Sequence, residues 1–199
     1  MLLFHDPSAA ARDLAAGVLV CPHAGCGGQL RPWGHARLRH LRLGPGRVET
    51  HRPRRGRCRC CGRTQVLAWA RSYPRRADTV ETVAAALLAA TSGVGYRRVA
   101  ETVGVPATTA RGWLRRARAN SDVVRVDATL ALYQLDPNAE ALSPTGSALA
   151  DMLDAVGRAV SAAIRRLGPI NAAPWQLATV MLGAGILAPH PTLHWQHDN

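Results

Sequence analysis

The chain has 199 residues and a formal net charge of +12, from 25 basic and 13 acidic residues, and every basic residue is arginine. No apolar run reaches the about 18 residues that a membrane span requires, and the N-terminal segment lacks the basic and apolar regions of a secretory signal. The sequence therefore predicts a cytoplasmic, nucleoid-associated protein with a polyanionic partner and no membrane contact.

The positive charge is concentrated before the C-terminal third. Residues 31–76 hold 14 arginines and a single acid, Glu49, whereas residues 120–199 hold four arginines against seven acids. A region with this balance repels itself unless an anion binds there, so we expect it to contact nucleic acid. Trp33 and Trp69, which lie among these arginines, are expected to pack in a small core rather than to stack on bases.

The first predicted module, residues 1–76, is rich in Gly, Pro and Arg. Its one helical stretch is residues 6–16. Short strands are expected at residues 38–43 and 47–51, around a Gly-Pro-Gly turn, and at residues 65–69.

Two cysteine pairs flank the predicted hairpin. Cys21 and Cys26 form a C-x4-C pair, and Cys58 and Cys61 form a C-x2-C pair. Because structural zinc takes four soft ligands in a tetrahedron, this layout predicts a zinc ribbon. The metal would stabilise a module whose core is too small to fold alone.

Two alternatives for the ligand set stay open. In the first, Cys60 binds the metal in place of Cys58 or Cys61. In the second, His23 binds it in place of one cysteine of the first pair, whose spacing is longer than usual. The odd number of cysteines, five in all, favours a reducing compartment with a metal site over a disulfide framework.

The apolar period changes to 3.6 residues near residue 77, which predicts a helix-turn-helix over residues 77–119. Its helices are expected at residues 78–90, 97–103 and 106–118, with Gly104 in the turn and Pro106 opening the third helix. The positions expected to face the core are Val99, Val103, Val105, Ala110 and Trp113.

The outer face of the third helix is expected to enter the major groove of double-stranded DNA. Arg111 has the fork that binds guanine, and Thr108 reaches a base or a phosphate. Most of the other arginines are expected to contact phosphates, which position a protein without specifying a sequence. The predicted DNA-binding residues are Pro106, Ala107, Thr108, Arg111, Gly112 and Arg115, together with Arg97, Arg98, Arg116, Arg118, Arg54, Arg55 and Arg57.

The last predicted module, residues 120–199, is helical and nearly neutral. Helices are expected at residues 121–135, with Ser121 as N-cap, at residues 147–167 and at residues 175–182. This module is expected either to pack on the helix-turn-helix or to form a homodimer. The three tail histidines are not expected to bind a metal: His190, His194 and His197.

Three motifs carry a resemblance to known families. C-P-x-x-G-C-G at residues 21–27, R-C-x-x-C-G-R-T at 57–64 and R-G-W-L-R-R at 111–116 resemble the N-terminal DNA-binding region of bacterial insertion-sequence transposases. Most of the chain is also similar to a family of small actinobacterial helix-turn-helix proteins of unassigned function. The resemblance implies that Cys21, Cys26, Cys58 and Cys61 bind zinc and that residues 97–118 contact DNA.

Such transposases continue into a nuclease domain with three carboxylates that hold two metal ions. Asp127 occupies a position like that of the first carboxylate, but the 72 residues that follow it are too few for a nuclease domain. We therefore expect Asp127 to be an exposed helix residue, and the protein not to be an enzyme.

These features predict a mainly α protein with a small β zinc ribbon at the N-terminus, then a helix-turn-helix and a helical C-terminal module. The predicted function is site-specific DNA binding, as a transcription regulator or as an accessory protein beside a transposase encoded elsewhere. The alternatives are a shortened transposase or recombinase, and a nucleoid or RNA-binding protein without sequence preference.

Overall fold

The computed structural model describes residues 1–44, 46–168, 170–183 and 185–188. The tail histidines at 190, 194 and 197 lie outside the described residues. The strands are β1 (Leu2–Phe4), β2 (Leu30–His35), β3 (Arg39–Gly44), β4 (Arg47–His51), β5 (Arg54–Cys58) and β6 (Thr64–Trp69). The helices are α1 (Pro7–Ala16), α2 (Val80–Thr91), α3 (Tyr96–Val103), α4 (Ala107–Leu135), α5 (Ala148–Leu167) and α6 (Pro174–Leu182), and a 3₁₀ turn covers Gly185–Leu187. None of these helices has both the length and the apolar character that crossing a bilayer requires.

The N-terminal part is a four-stranded mixed sheet in the order β1-β6-β5-β2. β1 runs parallel to β6, and the other two pairs are antiparallel. Helix α1 begins after Asp6, whose side chain accepts hydrogen bonds from the N–H groups of Ser8 and Ala9. The helix covers one face of the sheet, because Leu14 packs against Leu30. A small core thus forms between α1 and one side of the sheet.

Strands β3 and β4 form a separate two-stranded sheet. Leu41 on β3 is buried, and the N–H of Arg42 donates to the carbonyl of Ala77 at 2.6 Å. The hairpin therefore lies against the segment that leads into α2.

The helices after residue 79 share one larger core. Trp113 on α4, Val99 on α3 and Met152 on α5 are all buried in it, and α4 packs along α5. With 29 residues, α4 is about 43 Å long. One helix therefore extends from the α3–α4 turn to the far end of α5.

The predicted fold class is wrong. The described chain is about 49% helix and 19% strand, with a mixed four-stranded sheet at the N-terminus, so it is an α+β protein rather than a mainly α protein with a small ribbon. Strands β1, β2 and β5 were not predicted, because β1 is only three residues long and the other two carry Arg, Pro or Gly in place of alternating apolar residues. Pairing with neighbouring strands overrides that weak intrinsic preference.

The predicted break near residue 120 is also wrong. Residues 107–135 form one helix, and Ser121 does not cap it: its hydroxyl donates to the carbonyl of Ala117 one turn earlier, at 2.9 Å. Asn120 and Ser121 are buried here, so packing outweighs their preference for helix ends. Asp127, expected to be exposed, is 7% exposed.

The other predicted elements are confirmed within a residue or two. The helices at 6–16, 147–167 and 175–182 are α1, α5 and α6, and the strands at 38–43, 47–51 and 65–69 are β3, β4 and β6.

Candidate metal centre and nucleic-acid interface

Four cysteines converge at one end of the mixed sheet. The antiparallel pairing of β2 with β5 places Leu30 opposite Cys58, and this register brings the loop with Cys21 and Cys26 against the turn after β5. The Sγ atoms of Cys21 and Cys61 are 3.7 Å apart, and those of Cys26 and Cys58 are 3.5 Å apart. All four sulfurs lie within 4.8 Å of one another, so the cluster is close enough to hold a metal ion.

Backbone groups approach the sulfurs closely. The N–H groups of Cys60 and Cys61 donate to Sγ of Cys58 at 3.3 and 3.4 Å. Gly28 lies so near that a Cβ there would be 2.6 Å from Cβ of Cys60 and 2.8 Å from Sγ of Cys58. The glycine is therefore required by close packing beside the thiol.

Two thiols of the cluster have pKa values shifted in opposite directions. A hydrogen bond from the backbone of Gly28, followed by the thiol of Cys58, lowers the pKa of Cys26 to about 6. The pKa of Cys21 is raised to about 12: a backbone hydrogen bond at His23 lowers it, but burial and the neighbouring thiols outweigh that effect. Without a metal, Cys21 therefore stays a thiol at neutral pH, and deprotonating all four cysteines would require a cation to offset the repulsion between their charges.

The cluster consists of the four cysteines assigned from spacing. Nδ1 of His23 lies 3.0 Å from the carbonyl oxygen of Ala24, and His23 is not part of the cluster. Cys60 is exposed and also lies outside it.

A second candidate site lies where α3 turns into α4. Gly104 takes a left-handed conformation with φ of 68°, and the N–H of Val105 donates to the carbonyl of Ala100. The residues expected to face the core are buried or half-buried against it: Val99, Val103, Val105, Ala110 and Trp113.

The opposite face of α4 is open to solvent. Pro106, Ala107, Thr108, Arg111 and Arg115 are exposed, and Gly112 is half-buried. Thr108, Arg111, Gly112 and Arg115 line a cleft of about 330 Å³.

Further arginines surround this face. Arg97, Arg98 and Arg118 are exposed. The guanidinium groups of Arg97 and Arg111 lie 5.7 and 6.0 Å from the ring of Tyr96. Arg116 is half-buried, and its Nη1 donates to the carbonyl of Gly112 at 3.3 Å.

The three predicted contacts on β5 differ from one another. Arg54 is exposed, whereas Nη2 of Arg55 donates to the hydroxyl of Thr64 at 3.2 Å. Nε of Arg57 donates to the carbonyl of Gly62 at 3.1 Å, and its guanidinium lies 4.6 Å from the ring centre of Trp33. Arg55 and Arg57 are thus held by neighbours on the sheet.

The expectation that Trp33 packs in a core is wrong, because Trp33 is 44% exposed. The signal that would have revealed this is its alternation with Arg31 on one strand, which places both side chains on the same face. Trp69 is half-buried and its Nε1 donates to the carbonyl of His5 at 3.1 Å, in line with a packing role.

No protein-family model, no curated protein and no solved structure matches this chain. The resemblance to transposase N-terminal regions and to small actinobacterial helix-turn-helix proteins therefore stays a prediction.

Proposed function

We propose that this chain is a site-specific DNA-binding protein, acting as a transcription regulator or as an accessory protein of a mobile element. In this proposal α3, the turn at Gly104 and the first half of α4 form the helix-turn-helix. The observation that carries it is the division of α4 into two faces. Ala110 and Trp113 are buried against the core, while Arg111 and Arg115 are exposed to solvent.

The exposed face has the chemistry that duplex DNA requires. The guanidinium of Arg111 can donate two parallel hydrogen bonds to O6 and N7 of guanine, whereas Thr108 and Arg115 lie one turn to either side of it. Arg97, Arg98 and Arg118 flank this face and supply phosphate contacts. Affinity should fall steeply with salt, because each phosphate contact releases a counterion.

The test begins with fragmented DNA from the protein's own genome, retained on the purified protein at moderate salt and sequenced. A sharp motif is the expected result. Arg111→Ala should then lose discrimination between the motif and unrelated DNA by about 5-fold to 150-fold, the range for one bidentate base contact.

Arg54→Ala is the matched control, because Arg54 is exposed on β5 and distant in sequence from α4. It should weaken binding to all sequences by a similar factor. Retention without any motif, or an equal and uniform loss in both variants, would contradict site-specific binding.

We further propose that the cysteine cluster holds a structural zinc ion. A tetrahedron with Zn–S bonds of about 2.3 Å has sulfur–sulfur separations of about 3.8 Å. The separations of 3.7 and 3.5 Å across the cluster are close to that value. Four protein ligands leave no open coordination position, so the metal would stabilise the fold and take no part in a reaction.

Metal analysis of protein purified without chelators should give one zinc ion per chain. Cys58→Ser should lose the metal and unfold the N-terminal sheet, since β5 ends at that residue. Cys60→Ser is the control and should keep both. A metal-free wild-type protein with an intact fold would contradict the proposal.

We also propose that the chain forms a homodimer through α4. Val126, Leu130 and Tyr133 are 43%, 44% and 37% exposed, and their spacing places them on one side of the helix. A second copy would cover this apolar stripe. Sedimentation should detect a dimer in the wild type and a monomer in Leu130→Glu, with Arg158→Glu on the neighbouring helix as control. A monomeric wild-type protein would contradict the arrangement.

A further inference from the structure

The mixed sheet has one face that α1 does not cover, here called the outer face. A Cβ at Gly56 would lie 2.9 Å from Cδ1 of Leu14 and 3.2 Å from Cβ of Leu30, so these positions face α1. Side chains alternate along a strand. The next residues on the two strands, Arg31 and Arg57, therefore lie on the outer face, where they are direct cross-strand partners.

Trp33 joins the two arginines on this face. The guanidinium carbons of Arg57 and Arg31 lie 4.6 and 5.6 Å from the centre of its ring. The hydrogen bond from Arg57 to the carbonyl of Gly62 fixes one guanidinium in place. The indole, which is 44% exposed, and the two guanidinium groups thus form one platform open to solvent.

The outer face carries uncompensated positive charge. Strands β2, β5 and β6 contain no Asp or Glu. Like charges directly opposite each other on neighbouring strands are destabilising. The ion pairs recorded for this part of the described chain involve other arginines, Arg42 with Asp78 and Arg71 with Glu49. An anion bound between Arg31 and Arg57 would remove the repulsion.

A cleft opens beside the platform. Its volume is about 650 Å³, within the range of small-molecule binding sites. Its lining combines arginines with the turn after β5: Arg31, Arg57, Cys58, Arg59, Cys60 and Gly62. An aromatic platform next to an arginine-lined cleft is the combination that a base and its adjacent phosphate require.

We propose that the outer face binds single-stranded nucleic acid, with a base stacked on the Trp33 platform and the adjoining phosphates paired with Arg31, Arg57 and Arg59. A duplex does not fit this arrangement, because its bases are already stacked on both faces and only an unpaired base can lie on the indole. This surface is separate from the face of α4 and does not rest on the helix-turn-helix proposal.

The test is the affinity of the full chain for an oligothymidylate of about 16 nucleotides, a uridylate of the same length and a hairpin duplex. Fluorescence anisotropy gives the three dissociation constants. Trp33→Leu should weaken binding to the single strands by about 5-fold to 150-fold, the equivalent of about 1–3 kcal/mol for one stacked base. Binding to the duplex should change by less than about twofold.

Two variants serve as controls. Trp33→Phe keeps a stacking ring and should retain most of the single-strand affinity. Val48→Ala removes another exposed apolar side chain from the same arginine-rich part and should leave all three constants unchanged. Metal content and circular dichroism would verify that each variant is folded.

Three results would overturn the proposal: equal single-strand affinity in the wild type and Trp33→Leu, an equal loss for duplex and single strand, or tighter binding of polyphosphate than of either oligonucleotide. Because thymidylate and uridylate differ in the 5-methyl group as well as in the sugar, an oligodeoxyuridylate of the same length identifies which of the two matters, and selective loss with any of these single strands supports the assignment. A loss of motif discrimination in Arg111→Ala with unchanged single-strand binding would show that the two surfaces act separately.

Discussion

The guanidinium of Arg42 donates hydrogen bonds to both carboxylate oxygens of Asp78, from Nε to Oδ1 and from Nη2 to Oδ2, at 2.8 Å each. Asp78 is buried and lies two residues before the start of α2, whereas Arg42 lies on β3. This hydrogen bonding raises the pKa of the Arg42 guanidinium above its already high value. The pair therefore joins the β3–β4 hairpin to the start of the helical part.

Arg42→Met should lower the free energy of unfolding by about 1–3 kcal/mol, because it leaves the carboxylate of Asp78 buried without its bidentate donor. Urea denaturation would measure the loss. Arg165→Met is the matched control, since the pair between Arg165 and Asp136 is more exposed and should contribute less than about 1 kcal/mol. Equal losses would mean that burial of Asp78 does not determine the strength of its ion pair.

Gly28→Ala should weaken metal binding by roughly 10-fold to 100-fold, the usual cost of disturbing groups that surround metal ligands. The added Cβ would be 2.8 Å from Sγ of Cys58, so that sulfur must move. A competition titration with a chromogenic chelator measures the affinity.

Gly157→Ala is the control for the same chemical change. Gly157 lies within α5 and has nothing within 4 Å of an added Cβ, so alanine should stabilise the helix by about 0.5–1 kcal/mol. Its metal affinity should equal that of the wild type. Unchanged affinity in Gly28→Ala would show that the loop relaxes without displacing the ligand.

Asn120→Asp should destabilise the fold more than Asn120→Ala at neutral pH. Nδ2 of Asn120 donates to the carbonyl oxygens of Gly185, Ile186 and Ala188 at 2.9–3.2 Å, and this residue is buried. Alanine loses these bonds, at a cost of about 1–3 kcal/mol, whereas an ionised aspartate also places a negative charge against three carbonyls.

The aspartate variant should recover stability as the pH falls. Burial beside carbonyls raises the folded-state pKa of the new carboxyl, so the folded state binds a proton more tightly than the unfolded chain. Thermal unfolding at several pH values would show the recovery. Asn138→Asp, at an exposed position, is the control. A stability gap between the two Asn120 variants that does not vary with pH would contradict this account.

The fold should be less stable in mild acid than at neutral pH, because protonation of His51 favours the unfolded chain. Burial lowers its pKa; the charge of Glu49 opposes the shift and that of Arg39 adds to it. Because the folded-state pKa is depressed, the unfolded chain takes up the proton first, and stability is lost as the pH falls below about 6.5.

His51→Phe keeps a ring beside Trp69, whose centre lies 5.5 Å away, but removes the titration. The drop in melting temperature between about pH 7.5 and about pH 5.5 should therefore be smaller than in the wild type. His40→Phe is the control, because His40 is exposed on the same hairpin. An unchanged drop in His51→Phe would refute the role of burial.

The sequence predicted the cysteine cluster well because the signal is local. Spacings of two and four residues restrict each cysteine pair to one turn, and only the meeting of the two turns depends on the fold. That meeting is produced by β2 and β5, whose sequences contain Arg, Pro or Gly where a strand would alternate apolar residues. Their stability comes from pairing between distant segments, which one segment's composition does not reveal.

The helical part was predicted with one systematic error. Amphipathic periods indicated α2, α3, α5 and α6, but Asn120 and Ser121 suggested a helix boundary. Both residues are buried and use their side chains on carbonyl oxygens. A polar pair that is satisfied inside the core is indistinguishable, in sequence alone, from a pair that ends a helix.

The unbroken course of α4 has a consequence for helical phase. Each residue of an α-helix turns the chain by about 100° and advances it by about 1.5 Å. Arg111 and Leu130 belong to the same helix, with no loop between them to absorb a change. A single residue inserted or deleted between them would rotate the arginine face about a quarter-turn relative to the apolar stripe, so their angular relationship is set by the number of residues alone.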